Sequence, residues 1–450
     1  MEDTIAAIST PPGQGAVALL RMSGDRAVEI AQKVFRRNRC QVAELPPRKQ
    51  VLGNIVDAGG NSIDQVLLTV FSAPASYTGE DTVEIACHGG ILVAGSVFEA
   101  LSAAGARPAE PGEFSKRAFL NGKMDLTQAE AVMDLIGART SLALRAANRQ
   151  LEGKLGQRVA KLREKLLRAL AHLEAYIDFP EEGIDPESSE EICRQLVEVA
   201  SAAGDLIATA EEGRILREGL AVVIAGLPNA GKSSLLNVLL GFERAIVSDT
   251  GGTTRDTIEE MSNIKGIPVR LIDTAGLRQT EEQVEREGVD RAQRELKGAD
   301  LVLHVVDASL EKPGQTGFTE EERVSARQIL VLNKADLGIH SSWDEVDGIR
   351  ISCTQDSGVE LLAEAIFEVA GRAGLDFGSE MIAVNARHRD CLERACRHSE
   401  KAAELLRGGE SPEFVAIDLR EALDAIGSIV GKADAEEVLG EIFTSFCIGK

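Results

Sequence analysis

A chain of 450 residues with 44% hydrophobic and 27% charged side chains has material for two or three packed domains, which excludes wholesale disorder, a fibrous repeat and a disulfide-stapled miniprotein. Its 49 Lys and Arg stand against 72 Asp and Glu, a net charge of −23, which argues against indiscriminate binding to a polyanion and leaves room only for a local basic patch. The seven cysteines form no Cys-x-x-Cys pair, the first residues carry no basic and apolar leader, and no apolar run reaches the ~18 residues of a bilayer span, so a soluble cytoplasmic protein with no membrane partner is expected.

Short β-rich runs at 16–22, 65–71 and 82–86 alternate with helical stretches and Gly/Pro punctuation up to about residue 118, an α+β texture. Long amphipathic helices follow. Leu162, Leu166, Leu167, Leu170, Leu173 and Ile177 recur at helical spacing, and Ser188 with Glu191 reads as a capping box opening the next helix. From about 215 to 374 the runs 220–225, 269–272, 301–306 and 329–332 read as buried strands separated by helices, the βαβ signature of a parallel sheet. Helical texture returns afterwards, with Leu419, Leu423, Ile426 and Val430 on one face. The expected organisation is residues 1–118, a helical domain split between 119–214 and 375–450, and an α/β module at 215–374 inserted into it.

Gly226 to Ser233 matches G-x-x-x-x-G-K-[ST] between a strand and a helix. Asn229, Ala230, Gly231, Lys232, Ser233 and Ser234 would then wrap the phosphates with backbone N–H groups, Lys232 reaching the β/γ oxygens and the Ser233 hydroxyl reaching Mg²⁺. Asp273, Thr274, Ala275 and Gly276 follow the strand 269–272, where a carboxylate can hold the metal shell and a glycine N–H can sense the γ-phosphate. Asn333, Lys334 and Asp336 follow 329–332, and the Asp336 carboxylate can accept from guanine N1–H and N2–H₂, a donor pair adenine lacks. Thr253 and Thr254 offer a switch hydroxyl to Mg²⁺, and Ser352 with Cys353 would back the base. The ordered set resembles the translation-factor-related class of Ras-like P-loop GTPases. Leu277 stands where a water-orienting Gln would be, so hydrolysis must recruit another group: Glu281, Glu282 or Glu285, Arg255 or Arg278, or a monovalent cation beside Asn229.

A more specific resemblance spans the chain. Pro11-Pro12-Gly13, Leu20-Arg21-Met22-Ser23-Gly24, Tyr77-Thr78-Gly79-Glu80-Asp81, His88-Gly89-Gly90, Asn121-Gly122-Lys123, the switch from Ser248 to Asp256 and the terminal Cys447-Ile448-Gly449-Lys450 together resemble the MnmE (TrmE) family of tRNA modification GTPases. The resemblance implies a multidomain α+β and α/β fold: an N-terminal α+β folate-binding domain that dimerises, a central helical domain, and an inserted Ras-like P-loop GTPase domain. It implies a homodimer acting with the FAD-dependent partner MnmG (GidA) on C5 of the wobble uridine of certain tRNAs, with a one-carbon unit from a 5-formyl- or methylene-tetrahydrofolate. By motif matching, folate contacts fall on Arg21, Glu84, Lys123 and Lys450, and potassium ligands on Asn229, Ser248, Thr250 and Thr253. Mg²⁺ falls on Ser233 and Thr254, the general base on Glu285, and a reactive cysteine on Cys447. The family often has an apolar pair where Thr250 and Gly251 stand here. A ribosome-assembly or regulatory GTPase with non-catalytic flanking domains is the alternative the G motifs alone leave open.

Overall fold

The computed structural model describes residues 3–37, 41–178, 186–242, 259–273, 298–312, 327–371, 382–431, 442–444, 446 and 449, with backbone alone at 186–188, 259, 273 and 371. The chain forms two compact units, Met1–Met133 with Val430–Lys450, and Asp134–Ile429.

The first unit is built on strands β1 (Ile5–Ile8), β2 (Val17–Ser23), β3 (Phe35–Arg36), β4 (Val51–Val56), β5 (Ser62–Phe71), β6 (Thr82–His88) and β7 (Arg107–Pro108), in the sheet order β3-β4-β5-β6-β2-β1-β7. Pairing is antiparallel throughout except between β1 and β7. The period of two decides which face is dry. Leu20 and Met22 of β2, Leu68 of β5 and Val83 and Ile85 of β6 are buried with Ile30, Val97 and Leu101 from the helices Ala27–Val34 and Ile91–Ala103. Arg21 and Glu84 fall on the opposite face by the same alternation, directly paired across β2 and β6. There Ile5 and Ala7 pack with Phe114 of the helix Glu113–Leu120. Phe443 and Phe446 bury themselves against Leu126 and Ala129, so the last segment of the chain belongs to this core.

The second unit carries β8 (Leu220–Ala225), β9 (Glu259–Ile264), β10 (Ile267–Asp273), β11 (Leu301–Asp307), β12 (Arg327–Asn333) and β13 (Ile349–Arg350), in the order β13-β12-β11-β8-β10-β9. Only the β9/β10 pair is antiparallel. All six residues of β8 are buried, as a central parallel strand covered on both faces requires. The strand order reverses at β8: β9 and β10 follow it in sequence on one side and β11 to β13 on the other, and ligands of such sheets bind at the carboxyl ends of the strands beside that reversal. Leu235 and Leu239 of the helix Lys232–Gly241, Leu362 and Ile366 of Val359–Gly371, and Leu142 and Ala146 of Ser141–Leu151 share one core with the strands.

Among its described residues this unit also carries the helices Lys154–Asp178, Pro186–Ala208, Ala210–Glu218, Ala386–Arg407 and Pro412–Val430. Helices far apart in sequence pack together, as the returning helical texture implies: the Cys193 thiol reaches Ala403 O and the Cys396 thiol reaches Ala200 O, each at 3.6 Å. The first of these two helices starts at Pro186, two residues before the expected cap at Ser188, because the fixed φ of proline suits a first helical turn. Among the described residues no helix is long and apolar enough to cross a membrane.

Candidate nucleotide and folate sites

The loop after β8 is shaped by two close approaches. Gly226 has φ +150°, and a Cβ there would lie 2.1 Å from Val305 O; Gly231 has φ +97°, and its Cβ would lie 2.1 Å from Asn333 Nδ2. Neither position admits a side chain. Asn229, between them, takes the left-handed conformation at φ +64° with its side chain exposed. The loop delivers Ala230, Gly231 and the N-terminus of the helix Lys232–Gly241 to one point, where backbone N–H groups and the helix dipole favour an anion. Lys232 is 8% exposed and donates to Leu227 O at 2.9 Å, which folds its ammonium over the loop. Ser233 and Ser234 are exposed on the first turn.

Ser233 fits magnesium by donor chemistry: a hard hydroxyl oxygen beside a phosphate cradle suits an ion that keeps waters and takes few protein ligands. Among the described residues no cluster of three or more His, Cys, Asp or Glu is placed to hold a metal.

The base loop is tied to the phosphate loop by one buried bond. Asn333, 2% exposed at the end of β12, donates from Nδ2 to Ala230 O at 2.9 Å. Lys334 takes φ +61° and its ammonium meets Asp307 Oδ2 at 2.6 Å. Burial pushes the Asp307 carboxyl up, but hydrogen bonds from Lys334 and Ser309 outweigh it and leave the group below the usual range. Asp336 is exposed, and its oxygens accept from Ser352 Oγ at 2.6 Å and Thr354 Oγ1 at 3.2 Å. The Ser352 hydroxyl first, then Thr354, holds this carboxyl below its ordinary value, so it is an ionised acceptor at neutral pH. Ser352 is fully buried in a loop closed by reciprocal backbone bonds with Ser357, and burial pushes the half-buried Cys353 thiol up, keeping it a neutral wall. Thr354 and Asp307 escaped the sequence reading. Each is an ordinary polar residue until the fold sets it against Asp336 or Lys334.

In the first unit Arg21 sends Nε at 3.0 Å and Nη2 at 2.8 Å to Glu84 Oε1, with side chains 16% and 23% exposed. Its guanidinium lies over the rings of Tyr77 at 5.1 Å and Phe114 at 5.8 Å. The Tyr77 hydroxyl is fixed to Ser115 Oγ at 2.9 Å, and Lys123 donates to Pro74 O at 2.9 Å. A partly open charged pair beside two aromatic rings fits a flat heterocycle with an amide and amino edge. Behind it Arg117, 1% exposed, reaches Asp3 at 2.8 Å, Glu113 at 2.9 Å and Glu80 at 3.2 Å, and Glu80 accepts from Ser23 Oγ at 2.8 Å. This network fastens the loop bearing Tyr77 to the helix bearing Phe114. Sequence reasoning missed Phe114 and Arg117, which look like a core residue and a surface charge. Gly449 accepts from Ser9 Oγ at 3.2 Å, one residue beyond the end of β1, which pairs with the Arg21 strand.

The structure thus brings Asn229, Ala230, Gly231, Lys232, Ser233 and Ser234 together with Asn333, Lys334, Asp336, Ser352 and Cys353, and separately joins Arg21 to Glu84 with Lys123 on a neighbouring loop. Ser248, Thr250, Thr253, Thr254, Thr274, Ala275, Gly276, Glu285, Cys447 and Lys450 lie outside the described residues, and Asp273 is described by its backbone alone at the end of β10.

Comparison with known proteins adds a common thread. A family model described as the MnmE helical domain matches residues 126–447, and one described as the GTP-binding protein TrmE N-terminus matches residues 4–123. Proteins named tRNA modification GTPase MnmE align over the whole chain. That of Akkermansia muciniphila is 50% identical over 450 residues, covering 100% of this chain and 99% of its own. That of Thermoanaerobacter sp. is 44% identical over 457 residues, covering 100% and 99%. That of Geobacter sulfurreducens is 45% identical over 456 residues, covering 100% of both.

Proposed function

The chain belongs to the MnmE family of tRNA modification GTPases, and from that premise we propose that it uses GTP hydrolysis to control a folate-dependent change at C5 of the wobble uridine. It is a GTP-hydrolysing enzyme of tRNA modification. The finer reading is that a homodimer, working in the cytoplasm with an FAD-dependent partner, installs an aminomethyl or carboxymethylaminomethyl group with a tetrahydrofolate one-carbon unit. Residues 1–118 then serve folate binding and dimerisation, 119–214 with 375–450 form the helical domain, and 215–374 form the GTPase domain.

The observation that carries the reading is the Arg21 guanidinium held by Glu84 over Tyr77 and Phe114. A regulatory or ribosome-assembly GTPase has no use for such a built pocket wall.

In the nucleotide cradle, the amides from Asn229 to Ser233 and the Lys232 ammonium hold the phosphates and stabilise the charge that grows as the γ-phosphoryl group leaves. Ser233, with Thr254, would hold Mg²⁺, which when bound would neutralise phosphate charge. Asp336 selects guanine by accepting from N1–H and N2–H₂. Leu277 cannot orient water, so Glu285 takes the general-base role in this reading. Asn229, Ser248, Thr250 and Thr253 would ligate potassium, a cation placed where an arginine finger otherwise acts. Support for this is that Asn229 is exposed on the phosphate loop, where its side-chain oxygen is open to a cation.

The test is steady-state GTP hydrolysis in potassium against sodium, with and without Lys450, alongside calorimetry with 5-formyltetrahydrofolate and the Arg21→Ala variant. Potassium stimulation together with folate binding lost on removal of Lys450 or the Arg21 side chain is expected. Cation-indifferent hydrolysis with no folate binding would leave a GTPase of another kind.

A further inference from the structure

The helix Ser141–Leu151 lies outside the stretch 215–374, yet it completes the core of the sheet found there. It buries Leu142, Ala143 and Ala146 in one cluster with Ile264 and Ile267, the last residue of β9 and the first of β10. The Thr140 side chain caps this helix by accepting from Ala143 N at 3.2 Å, which fixes the turn bearing Leu142. Leu142 is 7% exposed and sits against the tip of the β9/β10 hairpin: a Cβ on Gly266 would come within 3.0 Å of Leu142 Cδ1 and 3.2 Å of its Cγ. In that tip Lys265 has φ +51° and Gly266 φ +88°, the left-handed pair that suits the twist of antiparallel strands. Gly266 N donates to Asn263 Oδ1 at 2.9 Å, so Leu142 meets a tip of defined shape. The Lys265 ammonium reaches Glu364 at 2.8 Å nearer the surface, where an ion pair adds little, and the apolar contact carries the grip.

The place of this contact separates it from ordinary packing. β9 starts at Glu259, shortly after the switch run from Ser248 to Asp256, and β10 ends on Asp273, where the metal-shell motif begins. The hairpin thus joins the two segments expected to sense the γ-phosphate, and its other end, about 20 Å away along β10, rests on Leu142. It is stiff along that length. Its register is unbroken from the pair Ile264 and Ile267 to the pair Glu259 and Ile272, and the buried Ser262 hydroxyl donates to Leu239 O of the phosphate-loop helix at 2.7 Å. Packed cores of this kind change between discrete arrangements and do not deform smoothly. Beyond Leu142 the chain runs through Gly153, at φ +77°, into the helix Lys154–Asp178.

Resting on the reading that GTP hydrolysis controls the change at the wobble uridine, we infer that Leu142 is a positioning residue that couples nucleotide state to the helices: it grips the hairpin tip differently with GTP and with GDP bound, and so shifts the helix Ser141–Leu151 at each hydrolysis. A contact achieves this only by favouring one nucleotide state over the other. The bias is reciprocal, so altering Leu142 must change how the protein discriminates GTP from GDP. Packing that served the fold alone would weaken the affinity for both nucleotides alike.

The experiment uses the full-length protein, with GDP and a non-hydrolysable GTP analogue each titrated by calorimetry into the parent, Leu142→Ala and Leu142→Met. In Leu142→Ala the ratio of the two affinities is expected to move by about five-fold or more, while Leu142→Met, which keeps an apolar side chain of similar volume, stays within about two-fold of the parent. Hydrogen exchange on the parent gives a readout independent of how well the variants fold: amide protection across 141–151 is expected to differ by at least about three-fold between the two nucleotides. An unchanged affinity ratio in folded Leu142→Ala, or identical exchange of 141–151 with both nucleotides, overturns the inference and leaves GTP control of the modification standing. If the parent, reconstituted with the flavoprotein partner, modifies tRNA equally well with GTP and with the analogue, the control reading fails, while the affinity ratio and the exchange still decide the coupling.

Discussion

Replacing Asn333 and Gly231 by alanine, singly and together, tests whether the base loop and the phosphate loop act as one structure. Asn333→Ala removes the 2.9 Å bond to Ala230 O and strands a buried carbonyl, a loss of about 2 kcal/mol. The ordered loop is the form that presents its amides to phosphate, so the loss is expected in nucleotide affinity, as roughly a 30-fold rise in Kd. Gly231→Ala forces a Cβ to 2.1 Å from Asn333 Nδ2 at a φ of +97°, adding about 1 kcal/mol of backbone strain while expelling the same amide. Its total is therefore about 3 kcal/mol. In the double variant the amide is already gone and only the strain is added, so the total stays near 3 kcal/mol instead of the ~5 kcal/mol of independent sites. Equilibrium titration of a fluorescent GTP analogue into the full-length proteins, with thermal unfolding measured in parallel, gives the cycle. Losses that simply add would refute the idea that Asn333 is the tie.

Asp336→Asn exchanges a carboxylate acceptor for an amide that can donate, so hydrolysis should shift from GTP toward xanthosine triphosphate, whose C2 carbonyl replaces the amine; continued preference for GTP in a competition assay would count against Asp336 as the base reader. The carboxylates around Arg117 predict an acid limit for the first unit. Burial raises the Glu113 carboxyl, but hydrogen bonds from Arg107, the Glu110 backbone and Arg117 outweigh it, and the Asp3 carboxyl is likewise held low, first by Arg107. Groups with lowered values stabilise the fold fully above the ordinary carboxylate range and lose that contribution as pH falls through the lowered value, below about pH 4. Unfolding temperature measured from pH 3 to 7 should show a shallower acid limb for Glu113→Gln than for the parent, and identical limbs would remove the network from the explanation.

The nucleotide site was legible because its parts are local. β8 ends at Ala225, the loop occupies 226–231 and the helix opens at Lys232, so spacing alone places the cradle, and β11 and β12 exceed the expected runs by one to three residues. The supports were not legible. The side chains of Thr354 and Asp336 meet only because the loop from Ser352 to Ser357 doubles back, and Arg21 meets Glu84 over a sequence separation of 63 through the register of β2 and β6. Charge pairs of that kind leave no periodicity for a linear reading to find. Phe443 and Phe446 carry the same lesson, since two aromatic residues in a short segment do not reveal which core receives them.

That last packing has a consequence for synthesis. The first unit needs Met1–Met133 and also Val430–Lys450, and the whole of Asp134–Ile429 separates them. At about 5–20 residues per second, the N-terminal sheet waits roughly 15–60 s on the ribosome before Phe443 and Phe446 emerge to cover Leu126 and Ala129. During that interval an apolar surface stands open, so slowed translation or early release of the chain should send this protein to chaperones through its first unit, although the GTPase fold behind it is already complete.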